Sequence, residues 1–157
     1  MIHGNLEGIK ASLLEEMDAL YTMEFDEDDF APLELIAKLS RFSCLIKREV
    51  SVYMSRSGEV LDVTIGNISS GPLKEMHLRR SLDRLAGVRC IHTHPGGVPD
   101  LSDVDLQALV SLRLDAMAAI GVLNERATGI QASFLGERVD GIPQPDITGV
   151  IAISKIP

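Results

Sequence analysis

The chain has 157 residues, of which 45% are apolar, with two cysteines, no Trp and 4% aromatics. That is enough for one domain around one core of Leu, Ile, Val, Ala and Met, and too little for a barrel of the amidohydrolase kind. Two cysteines at unrelated positions give no disulfide framework, and neither a signal peptide nor a membrane-length apolar run is present, so the expectation is a cytoplasmic protein with no membrane partner.

The formal net charge of −8 is a local feature, because residues 1 to 30 hold nine acids and one base whereas 31 to 157 hold fourteen of each. In chain order, Ile9, Leu13, Leu14, Met17, Leu20 and Tyr21 lie at helical spacing and predict an amphipathic helix over 9 to 22. Asp26-Glu27-Asp28-Asp29 then reads as a solvated connector, with an electrostatic docking surface as the alternative. Pro32 suits the first position of a second helix, whose inward stripe is Leu35, Ile36, Leu39, Phe42 and Ile46. Strands are predicted near 49 to 55 and 59 to 66, joined by Arg56-Ser57-Gly58, which has hairpin chemistry. A loop over 67 to 72 and a poorly defined helix over 74 to 86 follow, and 88 to 92 returns to strand. Lys74, Arg79, Arg80, Arg84 and Arg89 gather there. They read as a solvated helix surface, with a phosphate-binding face as the alternative, so nucleic acid is not expected as a partner of this domain alone. A helix from Ser102 to Arg113, strands at 116 to 122 and 129 to 135 about a turn at Asn124-Glu125, an irregular stretch marked by Pro143 and Pro145, and a short strand at 150 to 153 complete the chain. The expected class is α/β with a mixed sheet, divided into an N-terminal helix and acidic connector (1–30), a main domain (31–136) and a C-terminal segment (137–157).

The chemistry concentrates in residues 92 to 105. His92 and His94, two apart at the end of an apolar strand, project from one face, while Pro95 and Gly96-Gly97 stop the strand and Ser102 opens a helix carrying Asp105 in its first turn. Two imidazoles, one carboxylate and an open fourth position are the ligand set of a catalytic zinc, whose bound water is acidified toward neutral pH. Each piece has a plainer reading. A lone His-x-His can merely reach solvent, Ser102-x-x-Asp105 is a serviceable helix cap, and Cys90 before the histidines reads as a small buried packing residue, with a redox or metal role as the alternative. Other zinc families do not fit: a metallo-β-lactamase-like enzyme needs an Asp-His pair where Pro95-Gly96 stands, and a zinc deaminase needs a Pro-Cys-x-x-Cys that Cys44 and Cys90 do not supply.

His-x-His-Pro, six residues, then Ser-x-x-Asp resembles the JAMM, or MPN-plus, metalloprotease motif. The resemblance implies zinc held by His92, His94 and Asp105, oxyanion stabilisation by Ser102, and a general acid and base from a glutamate at the start of an upstream strand. Glu49, opening Glu49-Val50-Ser51-Val52-Tyr53-Met54, is the choice for that glutamate, and Glu75 is the runner-up. It also implies a cytidine-deaminase-like α/β sandwich over residues 31 to 136 and a peptide or isopeptide substrate. The family's eukaryotic members usually carry a Gly-containing strand after the glutamate. The strand here is closer to the bacterial RadC-like branch, which puts ubiquitin-type substrates in doubt and leaves an obscure nucleic-acid connection as a third reading.

A second resemblance spans most of the chain. Asn5-Leu6-Glu7-Gly8-Ile9, Arg48-Glu49-Val50-Ser51-Val52-Tyr53, the run from Leu85 to Pro95, and Ser111-Leu112-Arg113-Leu114-Asp115-Ala116-Met117 are similar to the N-terminal region of HflX-type GTP-binding proteins of clostridia and relatives. That resemblance implies a regulatory or docking domain, a downstream GTPase domain and the ribosome as partners. No Gly-x-x-x-x-Gly-Lys-Ser/Thr loop occurs here, so these residues do not hold a nucleotide in that way. Ending at Ile156-Pro157, soon after an apolar segment, is what a piece of a longer protein would show.

Overall fold

A computed structural model describes residues 1–66, 87–139 and 142–151, the residues from 137 onward as backbone only. The expected loop over 67 to 72, the helix over 74 to 86, and with them Glu75, Lys74, Arg79, Arg80 and Arg84, lie outside the described residues. Seven strands form one mixed sheet in the order β1-β3-β2-β4-β5-β6-β7. They are β1 (His3–Gly4), β2 (Val50–Ser55), β3 (Val60–Ile65), β4 (Val88–Pro95), β5 (Ala116–Leu123), β6 (Arg126–Val139) and β7 (Ile142–Ile151). The helices are α1 (Ala11–Asp18), followed by a 3-10 turn over Ala19–Thr22, α2 (Leu33–Ile46) and α3 (Asp103–Leu112). The result is a helix-flanked α/β sandwich, as the alternation of patterns predicts.

Strand alternation divides the interior in two. Val50, Val52, Met54, Ile91, Ala118 and Ile120 face α2, whose buried stripe Leu35, Ile36, Leu39 and Phe42 matches the predicted one. Tyr53, Val88, Cys90 and Met117 face the other way, against Leu109 and Leu112 of α3. β4 and β5 run parallel, so their connection must cross over, and α3 is that crossover. The two-residue link Asn124-Glu125 has both φ values positive, 51° and 61°, the turn whose twist suits a tight hairpin.

The first thirty residues belong to this core. Ile2, Met17 and Leu20 are buried in it, β1 pairs in parallel with β3, and Arg48 donates to the carbonyls of Asn5 and Glu7 at 3.1 and 2.7 Å. The acidic run 26–29 is exposed, as expected of a connector.

Three local expectations need correction. Pro32 stands at the cap of α2 with extended ψ, one position before the helix rather than in it. The stretch around Pro143 and Pro145 is strand, not irregular coil: β7 is the sheet's edge, where a missing N–H need cost no ladder bond, and its register shifts opposite Leu135 and Arg138. Arg89 is not on a solvated surface. It is buried in β4, its guanidinium 5.6 Å from the ring centre of Phe30 and donating to the carbonyl of Asp29 at 3.1 Å. No helix among the described residues is long and apolar enough to cross a membrane.

Candidate metal centre

Four hydrogen bonds around Glu49 fix the backbone at this end of the sheet. The Val50 amide donates to the Thr93 hydroxyl at 2.9 Å, Thr93 donates to Ser43 of α2 at 2.8 Å, and Ser43 donates to the Arg48 carbonyl at 2.7 Å. Gly66 closes the set by donating its amide to the Glu49 carbonyl at 2.9 Å. The hydroxyl relay spans β2, β4 and α2, so the entry to β2 and the exit of β4 are held in one geometry. Thr93 lies on the α2 face, and alternation therefore turns Cys90, His92 and His94 toward α3.

The opposite wall comes from the start of α3. Gly96 and Gly97 adopt φ of 119° and 85°, a backbone that other residues rarely take, and this turns the chain sharply off β4. The loop is then tied to the β5–β6 hairpin, because Thr128 donates to the Gly97 carbonyl at 2.7 Å and the Gln131 side-chain oxygen accepts from the Leu101 amide. Ser102 caps α3: its hydroxyl accepts from the Asp105 amide at 3.2 Å, while the Asp105 carboxylate accepts from the Ser102 amide at 2.8 Å. The cap thus fixes the carboxylate by one of its own oxygens. The plainer reading of Ser102-x-x-Asp105 is correct as far as it goes.

What capping does not explain is where Asp105 points. Its Oδ1 lies 3.2 Å from His92 Nε2, its Oδ2 lies 3.3 Å from His94 Nε2, and the two Nε2 atoms are 2.9 Å apart. A tetrahedral zinc with ligands at 2.0 to 2.1 Å places its ligand atoms about 3.3 to 3.4 Å from one another, a separation that each of the two histidine–carboxylate distances approaches, and one ligand atom from each of the three residues lies within 4.8 Å of the others. Two imidazole lone pairs facing each other repel unless a proton or a cation lies between them. His94 meets the requirement of a ligand, since its Nδ1 sits 3.2 Å from the Val98 carbonyl; donating there leaves the lone pair on Nε2. The donor set therefore fits a metal ion of zinc type, and these three residues are the group among the described residues placed to hold one.

The electrostatics agree with the geometry. Burial acts to raise the Asp105 carboxyl, but the bonds to His92 and His94 outweigh it and hold the group well below the usual carboxylate range. His94 is raised, first by its bond to Asp105 and against the opposing effect of burial. Glu49 is half-buried, and burial raises its carboxyl; His92 and His94 pull it down and Asp105 pushes it up, so it shares the field of the cluster. Cys90 is fully buried and burial pushes its thiol up, which keeps it protonated beside Tyr53, away from thiolate chemistry.

The structure thus brings together His92, His94 and Asp105 from two separate elements, with Ser102 bonded to Asp105 through the cap and Glu49 within the electrostatic field of the cluster. Sequence reasoning missed the supports: the Val98 carbonyl has no side-chain signature at all, and Thr128 and Gln131 depend on the β5–β6 register. Gln131, a polar residue inside the apolar strand over 129 to 135, was the one visible signal. No family model, curated protein or solved structure matches the chain.

Proposed function

We propose that this domain is a JAMM-type zinc hydrolase that cleaves a peptide, isopeptide or related amide bond. The observation that carries the reading is the convergence of His92 Nε2 and His94 Nε2, 2.9 Å apart, on the Asp105 carboxylate, whose Oδ1 lies 3.2 Å from the first and whose Oδ2 lies 3.3 Å from the second. Zinc, when bound by these residues, supplies a water acidified toward neutral pH and a Lewis acid for the carbonyl. Glu49 takes the proton of the attacking water on its carboxylate and passes it to the leaving amine; a carboxyl raised by burial is better matched to that double task than an exposed one. The Ser102 hydroxyl, besides capping α3, stabilises charge developing on the substrate carbonyl oxygen. In this reading the fold is the cytidine-deaminase-like sandwich over 31–136, with 1–30 and 137–157 as additions to it. The test is Glu49→Gln, which removes the proton carrier and no ligand. Cleavage of a broad library of peptides and isopeptide conjugates should disappear while zinc and folding are kept, and unchanged cleavage by the variant would refute the assignment.

A second reading is supported by the packing of residues 1–30 into the same core as the sheet. The HflX-type resemblance begins at Asn5 and includes that segment, whereas the metalloprotease resemblance starts only at residue 31. In that reading the domain regulates or docks a ribosome-associated GTPase, with the metal site structural, vestigial or slow. Glu49→Gln would then be silent, and removing residues 1 to 157 from the full-length protein would alter GTP hydrolysis or ribosome binding.

A further inference from the structure

Among the described residues, three buried side-chain polar atoms have no hydrogen-bond partner: Ser51 Oγ, Arg89 Nε and His92 Nδ1. Two of them face each other. Ser51 of β2 and His92 of β4 are directly opposed in the antiparallel ladder, so their side chains leave the sheet on the same face, with Cβ atoms about 4.5 to 5.5 Å apart. Both residues are wholly buried. A buried polar atom without a partner costs on the order of 1 to 3 kcal/mol, and native interiors seldom keep one. Two such atoms opposed across one ladder position are naturally explained together.

The chemistry of the cluster says what they do. His92 presents Nε2 to His94 and Asp105, so when that nitrogen gives its lone pair to a metal the ring proton must reside on Nδ1. His94 has the Val98 carbonyl for its own Nδ1 proton. His92 has no bonded carbonyl or carboxylate there. Its nearest neighbour in the ladder carries instead a hydroxyl oxygen with free acceptor capacity. We propose that Ser51 is the positioning residue of the site: its Oγ accepts the Nδ1 proton of His92, directly or through one water, and thereby holds the imidazole in the tautomer and orientation that direct Nε2 at the metal. Ser51 touches neither substrate nor metal and acts only through His92. This inference rests on the metal-site reading given above.

The experiment measures zinc affinity by competition with a chromophoric chelator, and the His92 ring nitrogens by 15N-correlated NMR, in wild type, Ser51→Ala and Ser51→Thr. The expected result is a roughly 10- to 100-fold loss of zinc affinity in Ser51→Ala, the range for removing such a partner. The His92 Nδ1 resonance should shift, the far-UV circular dichroism should not change, and Ser51→Thr should restore part of the affinity. A role in packing alone would leave the Nδ1 resonance in place. If wild type binds zinc and Ser51→Ala binds it equally tightly with an unchanged His92 resonance, the proposal is overturned and the metal site stands. If folded wild type binds no zinc, both are overturned.

Discussion

Ser102→Ala separates the two tasks that converge on the start of α3. The capping box contains two reciprocal bonds, and the substitution removes only the 3.2 Å bond from the Asp105 amide; the 2.8 Å bond from the Ser102 amide to the carboxylate remains. Losing a serine cap costs about 1 kcal/mol, which in a domain of this size lowers the melting midpoint by about 2 to 4 °C. Asp105→Asn has the opposite profile. An amide oxygen can still accept from the Ser102 amide, but the anionic ligand between the two imidazoles is gone. Thermal melts of wild type and both variants, each with a chelator and with zinc at about 100 times the wild-type Kd, resolve the two effects. Zinc should add about 2.7 kcal/mol to wild type and to Ser102→Ala alike, on a baseline shifted down for the variant, and should add little to Asp105→Asn. Full zinc stabilisation of Asp105→Asn, or its loss in Ser102→Ala, would refute the assignment of ligand and cap.

Gly121 of β5 has no room for a side chain, since a Cβ there would lie 2.3 Å from Thr128 Oγ1 and 2.8 Å from the Gly97 carbonyl oxygen. Gly121→Ala should therefore break the Thr128–Gly97 bond and displace the loop before α3, weakening zinc binding more than it lowers the melting midpoint, as isothermal titration and melts of one preparation would show. Far from the site, Asp115 accepts from Arg56 at 2.6 and 2.9 Å and from the Gly87 amide at 3.0 Å. Burial acts to raise its carboxyl, and these bonds outweigh burial and hold it below its ordinary 3.8. A carboxyl lowered by folding stabilises above the unfolded value and loses that contribution as pH falls through the folded one. The stability gap between wild type and Asp115→Asn, measured in urea, should be full at pH 7 and close below pH 3.8; a gap that widened on acidification would contradict this. In the core, Leu39→Ala should cost about 2 to 5 kcal/mol in the same assay, because Leu39 is fully buried between α2 and the sheet.

The sequence made the site legible because its ligands are local: His92 and His94 are two apart on a strand and Asp105 lies one loop away, so periodicity and a cap signal already bring them together. The stripe of α2, the hairpin at Arg56-Ser57-Gly58 and the Asn124-Glu125 turn were legible for the same reason. What was hidden depends on pairing between distant segments. Ser51 reads only as one polar residue in an apolar strand until the β2–β4 ladder sets it against His92. Arg89 reads as one more base near others until β4 takes it into the interior beneath Phe30. Pro143 and Pro145 signal a break unless it is known that their strand is the edge.

His92, His94 and Asp105 are proposed to hold one metal ion. X-ray absorption at the zinc edge, on protein reconstituted with zinc and dialysed, tests it most directly. The expected result is about one zinc per chain in a shell of nitrogen and oxygen neighbours at about 2.0 to 2.1 Å with imidazole scattering beyond, lost in His92→Ala. Folded wild-type protein that retains no zinc, or that holds it equally well in His92→Ala, would contradict it.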